Sequence, residues 1–213
     1  MKKEIFKQQY KASTKEYLVA LALCPQFTRL LNPDNKPFQQ VHEWLLKNEI
    51  SLADENRKLP SIKEIALELK TDSTKISKQI KLIYQEIHLI NEEYPESFKK
   101  EGQKLCFLSF NYLDSYTHFN IGLDIIPRIG EVFHFCFIKP INGGTNFYVN
   151  DVVYFCDKGF PETWVYLSHE YPNAYLQILK EKAYLHRDIS FPELLSNSNF
   201  SFEEELVKPY KTL

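Results

Sequence analysis

Leu59-Pro60-Ser61-Ile62-Lys63-Glu64-Ile65-Ala66-Leu67-Glu68-Leu69-Lys70-Thr71-Asp72-Ser73-Thr74-Lys75-Ile76-Ser77-Lys78-Gln79-Ile80-Lys81-Leu82-Ile83 holds two apolar-periodic segments and one short polar break. Ser61 predicts the start of the first segment. Its hydroxyl can accept from a free amide of the opening turn, and Glu64 completes a capping box. Ile62, Ile65, Ala66 and Leu69 then recur at helical spacing and share one face. After Lys70-Thr71, Asp72 or Ser73 can cap a second segment, in which Ile76, Ile80 and Ile83 renew the stripe. Two short helices joined by a three- or four-residue turn make a helix-turn-helix, whose second helix can enter a DNA major groove. Off the apolar stripe lie Ser73, Thr74, Lys75, Ser77, Lys78 and Lys81. Hydroxyls and long cations suit base edges and phosphates. An ordinary solvated helix pair has the same spacing, so periodicity alone leaves both readings open.

Around this stretch, Phe38–Leu46 forms a preceding apolar-faced segment and Leu59-Pro60-Ser61 leads into the second. With Glu64-Ile65-Ala66, Leu69, Thr74 and Ile76 in register, residues 38–83 resemble the winged-helix DNA-binding domain of GntR-type bacterial transcription regulators. The resemblance covers about a fifth of the chain. It implies a recognition helix near 73–83, with Thr74, Lys75, Ser77 and Lys78 toward bases or phosphates. Ser61, Lys63 and Lys81 would hold the DNA backbone, and Ser73, at the start of the helix, counts among the DNA-binding residues. It further implies double-stranded DNA as partner, a homodimer, and a small-molecule effector of unspecified kind. The chain departs from the family pattern at four positions. Lys70 and Thr71 stand where the family has glycine and an apolar residue, and Ser73 and Ser77 stand where it carries arginines. Arginine makes a bidentate fork that serine cannot, so the lysines must supply the charge.

The totals bound the answer. The chain has 213 residues, 44% of them hydrophobic, with 16 Phe and 13 Tyr, enough for packed cores in one or two domains. Net charge is -2 at pH 7, so any DNA affinity must come from local charge. Cys24, Cys106, Cys136 and Cys156 are widely and irregularly spaced, unlike a disulfide scaffold, which favours a reducing cytoplasm. No apolar run approaches the ~20 residues of a membrane span.

In chain order, residues 1–13 form a lysine-rich arm, and Ser13 and Glu16 make a second capping box before a helix over Tyr17–Leu31 that breaks near Pro25. The second helix of the motif extends through Tyr84, Ile87 and Ile90. Tyr94–Lys104, with Pro95 and Gly102, reads as a connector. Beyond it the pattern changes to short Phe/Tyr/Val/Ile runs at Leu105–Leu113, Thr117–Ile126, Glu131–Lys139, Asn146–Cys156 and Thr163–Leu167. Turn signals separate them, Asn142-Gly143-Gly144 and Asp157-Lys158-Gly159 among them, which predicts an antiparallel sheet or small barrel. The first pair, 105–126, is alternatively a wing. Asn173–Leu185 reads as a helix with Ala174, Ile178 and Leu185 among its apolar positions, and 191–213 as a mixed tail.

The expected fold is therefore α+β: an N-terminal winged-helix-like helical domain over 1–94, then a β-rich domain over 105–213 ending in a helix. No catalytic set, metal motif or cofactor fingerprint is legible, so an enzyme is not expected. His134 and Cys136 share a strand face, with Cys156, His118 and His169 as conceivable co-ligands, but no metal-ligand spacing accompanies them. Two other readings of the scaffold stay open: a protein-interaction module, and a ligand or metal sensor without DNA binding.

Overall fold

The structure is a computed structural model that describes residues 10–48, 59–112, 115–157, 160–171, 174–187 and 190. The lysine-rich arm apart from its last residues, the 49–58 loop, the turn at 158–159 and the tail at 191–213 lie outside the described residues. Helix α1 (Thr14–Leu23) begins where sequence places it: Ser13 accepts from the Glu16 amide and the Glu16 carboxylate accepts from Ser13 N–H. Pro25 ends that run, and a short α2 (Pro25–Thr28) restarts with proline in its first turn, where no intrahelical donor is needed. Helix α3 (Gln39–Lys47) buries Val41, Trp44 and Leu45. Helix α4 (Ile62–Glu68) and helix α5 (Ser73–Glu93) follow, and a 3₁₀ turn over Pro95–Phe98 closes the helical layer.

Strands β1 (Lys104–Tyr112), β2 (Ser115–Leu123), β3 (Val132–His134), β4 (Asn146–Asp157) and β5 (Phe160–Ser168) form one sheet in the order β2-β1-β5-β4-β3. The sheet is mixed rather than antiparallel throughout: β1 and β5 run parallel, with Cys106 opposite Thr163 and Leu108 opposite Val165. The 105–126 pair is thus built into the sheet, β1 lying between β2 and β5, and is not a free two-stranded wing. The run expected as a strand over Glu131–Lys139 is a strand only as far as His134. Phe135, Phe137 and Ile138 are all buried, which a two-residue alternation cannot satisfy. The chain turns instead through a 3₁₀ segment (Cys136–Ile138) and a helical turn, α6 (Lys139–Asn142). Gly143, at φ +90, ends α6 in the left-handed region, so Asn142-Gly143 is a helix terminus and not a hairpin turn.

One apolar core joins the helices to the sheet. Phe27, Ile83, Tyr84, Ile87 and Phe98 from the helical side meet Leu108, Phe110, Phe119, Phe147 and Val165 from the strands. The chain divides into two compact units, Met1–Glu170 and Tyr171–Leu213. The Tyr94–Lys104 connector therefore lies inside the first. In the second, helix α7 (Ala174–Leu185) buries Leu179 and Ala183, while Ile178 and Leu185 are exposed.

The outer edge of β2 is closed by a side chain. Asn91, buried near the end of α5, donates from Nδ2 to the Asn120 carbonyl at 2.7 Å and accepts from the Asn120 amide at 2.8 Å. One carboxamide thus does locally what a further strand would do, and fixes α5 on the sheet.

Candidate nucleic-acid interface

The turn sets the angle between α4 and α5. Leu69 caps α4, the Lys70 amide donates to Leu67 O at 3.2 Å and the Thr71 amide to Ala66 O at 2.9 Å. This is the paired closure that ends a helix through one left-handed residue. That residue is Lys70, at φ +50. A lysine there bears a Cβ penalty of about 1 kcal/mol. Lys70→Gly is accordingly expected to stabilise the protein by about 0.5–1 kcal/mol, read as a shifted urea midpoint at unchanged slope. A destabilised variant would show that the lysine side chain holds the turn through contacts of its own. Gln40 of α3 reaches the same corner, donating from Nε2 to Leu69 O at 3.1 Å.

Asp72 opens α5. Its Oδ1 accepts from the amides of Thr74 at 2.7 Å and Lys75 at 3.2 Å. Hydrogen bonds from Thr74, side chain first, hold this carboxyl below its ordinary range. An anion therefore already occupies the free amides of this helix end, and a phosphate would have to be met by side chains.

Of the expected contact residues, Thr74, Lys75, Lys78 and Lys81 are exposed, while Ile76, Gln79, Ile80 and Ile83 are buried beneath them. Thr74, Lys78 and Lys81 lie four and three residues apart, hence on one face spanning ~10 Å at 1.5 Å per residue. That span suits a major groove ~12 Å wide. Lys75 stands on the flank, in a shallow groove of about 300 Å³ with Lys36, Gln39, Gln40, Glu43 and Gln79. Lys81 Nζ sits 5.6 Å from the Tyr17 ring centre of α1, a cation over an aromatic face. Ser73 and Ser77 are half-buried, and Ser77 Oγ donates to Ser73 O at 2.9 Å. Its proton is engaged inside the helix and is not free for a partner. Ser61 Oγ accepts from the Glu64 amide as the cap of α4, and Lys63 is exposed on that helix.

Reading the sequence did not single out Tyr17, Lys36 or Gln40, which all precede the α4–α5 pair along the chain. Lys36 pairs with Glu86 at 2.8 Å, so it adds little free positive charge.

The other sequence candidates do not converge. His134 Nδ1 lies 2.6 Å from Asn146 Oδ1, and Cys136 is paired with Cys24 and not with Cys156. Among the described residues no three His, Cys, Asp or Glu groups are placed to hold a metal. Asp151 accepts from the Val152 amide, and His169 packs on the Tyr112 ring. One larger cleft, of about 680 Å³, has Phe107, Tyr154 and Trp164 in its wall beside Lys99, Lys104 and Glu162. Phe107 and Trp164 stack there at 3.9 Å.

These features define an α+β protein in whose helical layer α4 and α5 are joined by a tight turn. Comparison with protein-family models, with curated proteins and with solved structures returns no match to this chain. No described helix is long and apolar enough to cross a membrane.

Proposed function

We propose that this chain is a sequence-specific DNA-binding transcription regulator that inserts the first turns of α5 into a major groove. The observation that supports this reading most is the exposed Thr74, Lys75, Lys78 and Lys81 set on a helix anchored from below by Ile76, Ile80 and Ile83. Lys75, Lys78 and Lys81 contact phosphates, and Thr74 and the helix flank reach base edges. Two copies would read half-sites about 34 Å apart. The Phe107–Trp164 cleft takes the effector.

The test is Lys75→Ala with Lys78→Ala, measured on a pool of random-sequence duplexes across a salt series. Each lost phosphate contact is expected to lower the slope of log K against log salt by about one, so the double variant loses about two. Unchanged affinity and slope would remove α5 from the interface.

A second reading, a protein-interaction module, is favoured by apolar side chains on the same elements. Leu67 is 81% exposed, and Leu82 and Leu89, two turns apart on α5, are 40% and 53% exposed. Association that ignores salt marks this reading, because burying apolar surface releases no counterions.

A further inference from the structure

Cys24 and Cys136 are separated by 112 residues, yet their Sγ atoms lie 3.9 Å apart. Cys24 is the junction between α1 and α2, and Cys136 opens the 3₁₀ turn after β3. Both are free thiols. Cys24 is buried and Cys136 partly accessible. A disulfide needs ~2.05 Å between sulfurs, so bonding draws this pair together by about 2 Å. The two thiols are also unequal. Cys136 is held below the ordinary thiol range by the hydrogen bond from Cys24, then by the charge of nearby His134. Cys24 is pushed up by the same hydrogen bond and by burial. The thiolate is the attacking species, and attack further requires access. Neither other cysteine has such a neighbour: Cys106 is buried, its Sγ at 3.7 Å from Lys104 O, and Cys156 is exposed on β4.

We propose that Cys136 and Cys24 form a thiol–disulfide modification site for hydroperoxides, with Cys136 as the attacking sulfur and Cys24 as the resolving one. The Cys136 thiolate attacks the outer peroxide oxygen and the O–O bond breaks. One proton is taken up, an alcohol or water leaves, and Cys136 becomes a sulfenic acid. The Cys24 sulfur then displaces that hydroxyl, forming the S–S bond and releasing water. The two thiols lose two electrons and the peroxide gains them. The new bond would tie the α1–α2 junction to the turn that carries Phe137, whose carbonyl accepts from the Tyr84 hydroxyl of α5 at 2.7 Å. Oxidation therefore acts directly beneath α5. The site stands whether or not α5 binds DNA, and its test uses no duplex.

The full chain is treated with hydrogen peroxide, denatured in iodoacetamide, and digested with trypsin and an Asp-specific protease. Cleavage before Asp151 separates Cys136 from Cys156. The expected product is one linked peptide pair joining Cys24 to Cys136, with the intact mass lowered by two hydrogens and Cys106 still alkylated. The same oxidation in denaturant is expected to scatter the pairings over all four cysteines. In Cys24→Ser, Cys136 should stop at sulfenic acid and take dimedone; in Cys136→Ser, Cys24 should remain reduced. The proposal is overturned if native protein loses only the Cys156 thiol, or joins Cys156 between chains, while Cys24 and Cys136 both still take iodoacetamide. The wild-type peptide map decides this alone, so a serine variant that does not fold leaves the test intact.

Discussion

Phe137→Ala is expected to lower stability by about 3–5 kcal/mol, and to lower it for the helices and the sheet together. Phe137 is fully buried, and its ring lies 5.0 Å from Phe27, 4.8 Å from Tyr84, 5.2 Å from Phe119 and 5.4 Å from His88. These rings come from α2, α5 and β2, so one side chain touches both layers. Removing it opens a cavity whose walls are anchored on separate elements and cannot all collapse inward. The backbone of the same residue accepts the Tyr84 hydroxyl. The substitution keeps that bond, so the loss reads packing alone. Urea unfolding followed by far-UV circular dichroism and by Trp fluorescence checks this. Trp44 reports on α3 and Trp164 on β5. Coincident transitions shifted together to lower urea are the expected result. Two separated transitions, with the Trp44 signal unmoved, would mean that the helical layer folds on its own.

That coupling explains what could be read from sequence. Local signals were sufficient for the helix starts: Ser13 with Glu16, Ser61 with Glu64, and Asp72 each cap the helix they precede. The length of α5 was legible too, since Tyr84 and Ile87 continue the Ile76, Ile80, Ile83 stripe, and the buried side of that stripe left Thr74, Lys75, Lys78 and Lys81 outside. What was not legible depends on residues far apart. The parallel pairing of β1 with β5 leaves no local period. The Phe135-Cys136-Phe137-Ile138 run reads as a strand because its residue types favour one, but neighbours on both sides bury it and force a 3₁₀ turn. Tyr17 under Lys81 and Cys24 beside Cys136 are visible only after the chain has folded. Even the exposed site was legible only in part: periodicity separates inside from outside, but it does not show that Ser77 turns its hydroxyl back to Ser73.

The same ring cluster makes stability depend on pH through His88. Its imidazole stacks on Phe137 at an interplanar angle of 25° and packs against Tyr84 and Phe119. Its Nε2 is enclosed with no hydrogen-bond partner. Burial among carbon atoms disfavours the imidazolium, so the pKa falls from 6.5 to about 4. Above pH 6.5 both folded and unfolded chains carry neutral His88, and it adds no pH dependence. Between pH 6.5 and 4 the unfolded chain takes up the proton and the folded chain does not, so stability falls as pH falls. Below pH 4 both are protonated and the loss is complete, at about 3 kcal/mol. Glu16 and Asp72, whose carboxyls are held low by hydrogen bonds led by those from Tyr10 and Thr74, lose their own contributions in acid. They do so equally in a His88→Phe variant, which keeps a ring in the stack and removes the titration. Urea midpoints at pH 7, 5.5 and 4 are expected to separate wild type from His88→Phe by a gap that widens in acid toward about 3 kcal/mol. A repacking cost of the larger ring shifts every point by the same amount and leaves the widening intact. Parallel curves through this window would show that the imidazole is hydrated in the native protein, and that the ring cluster is open to water on that side.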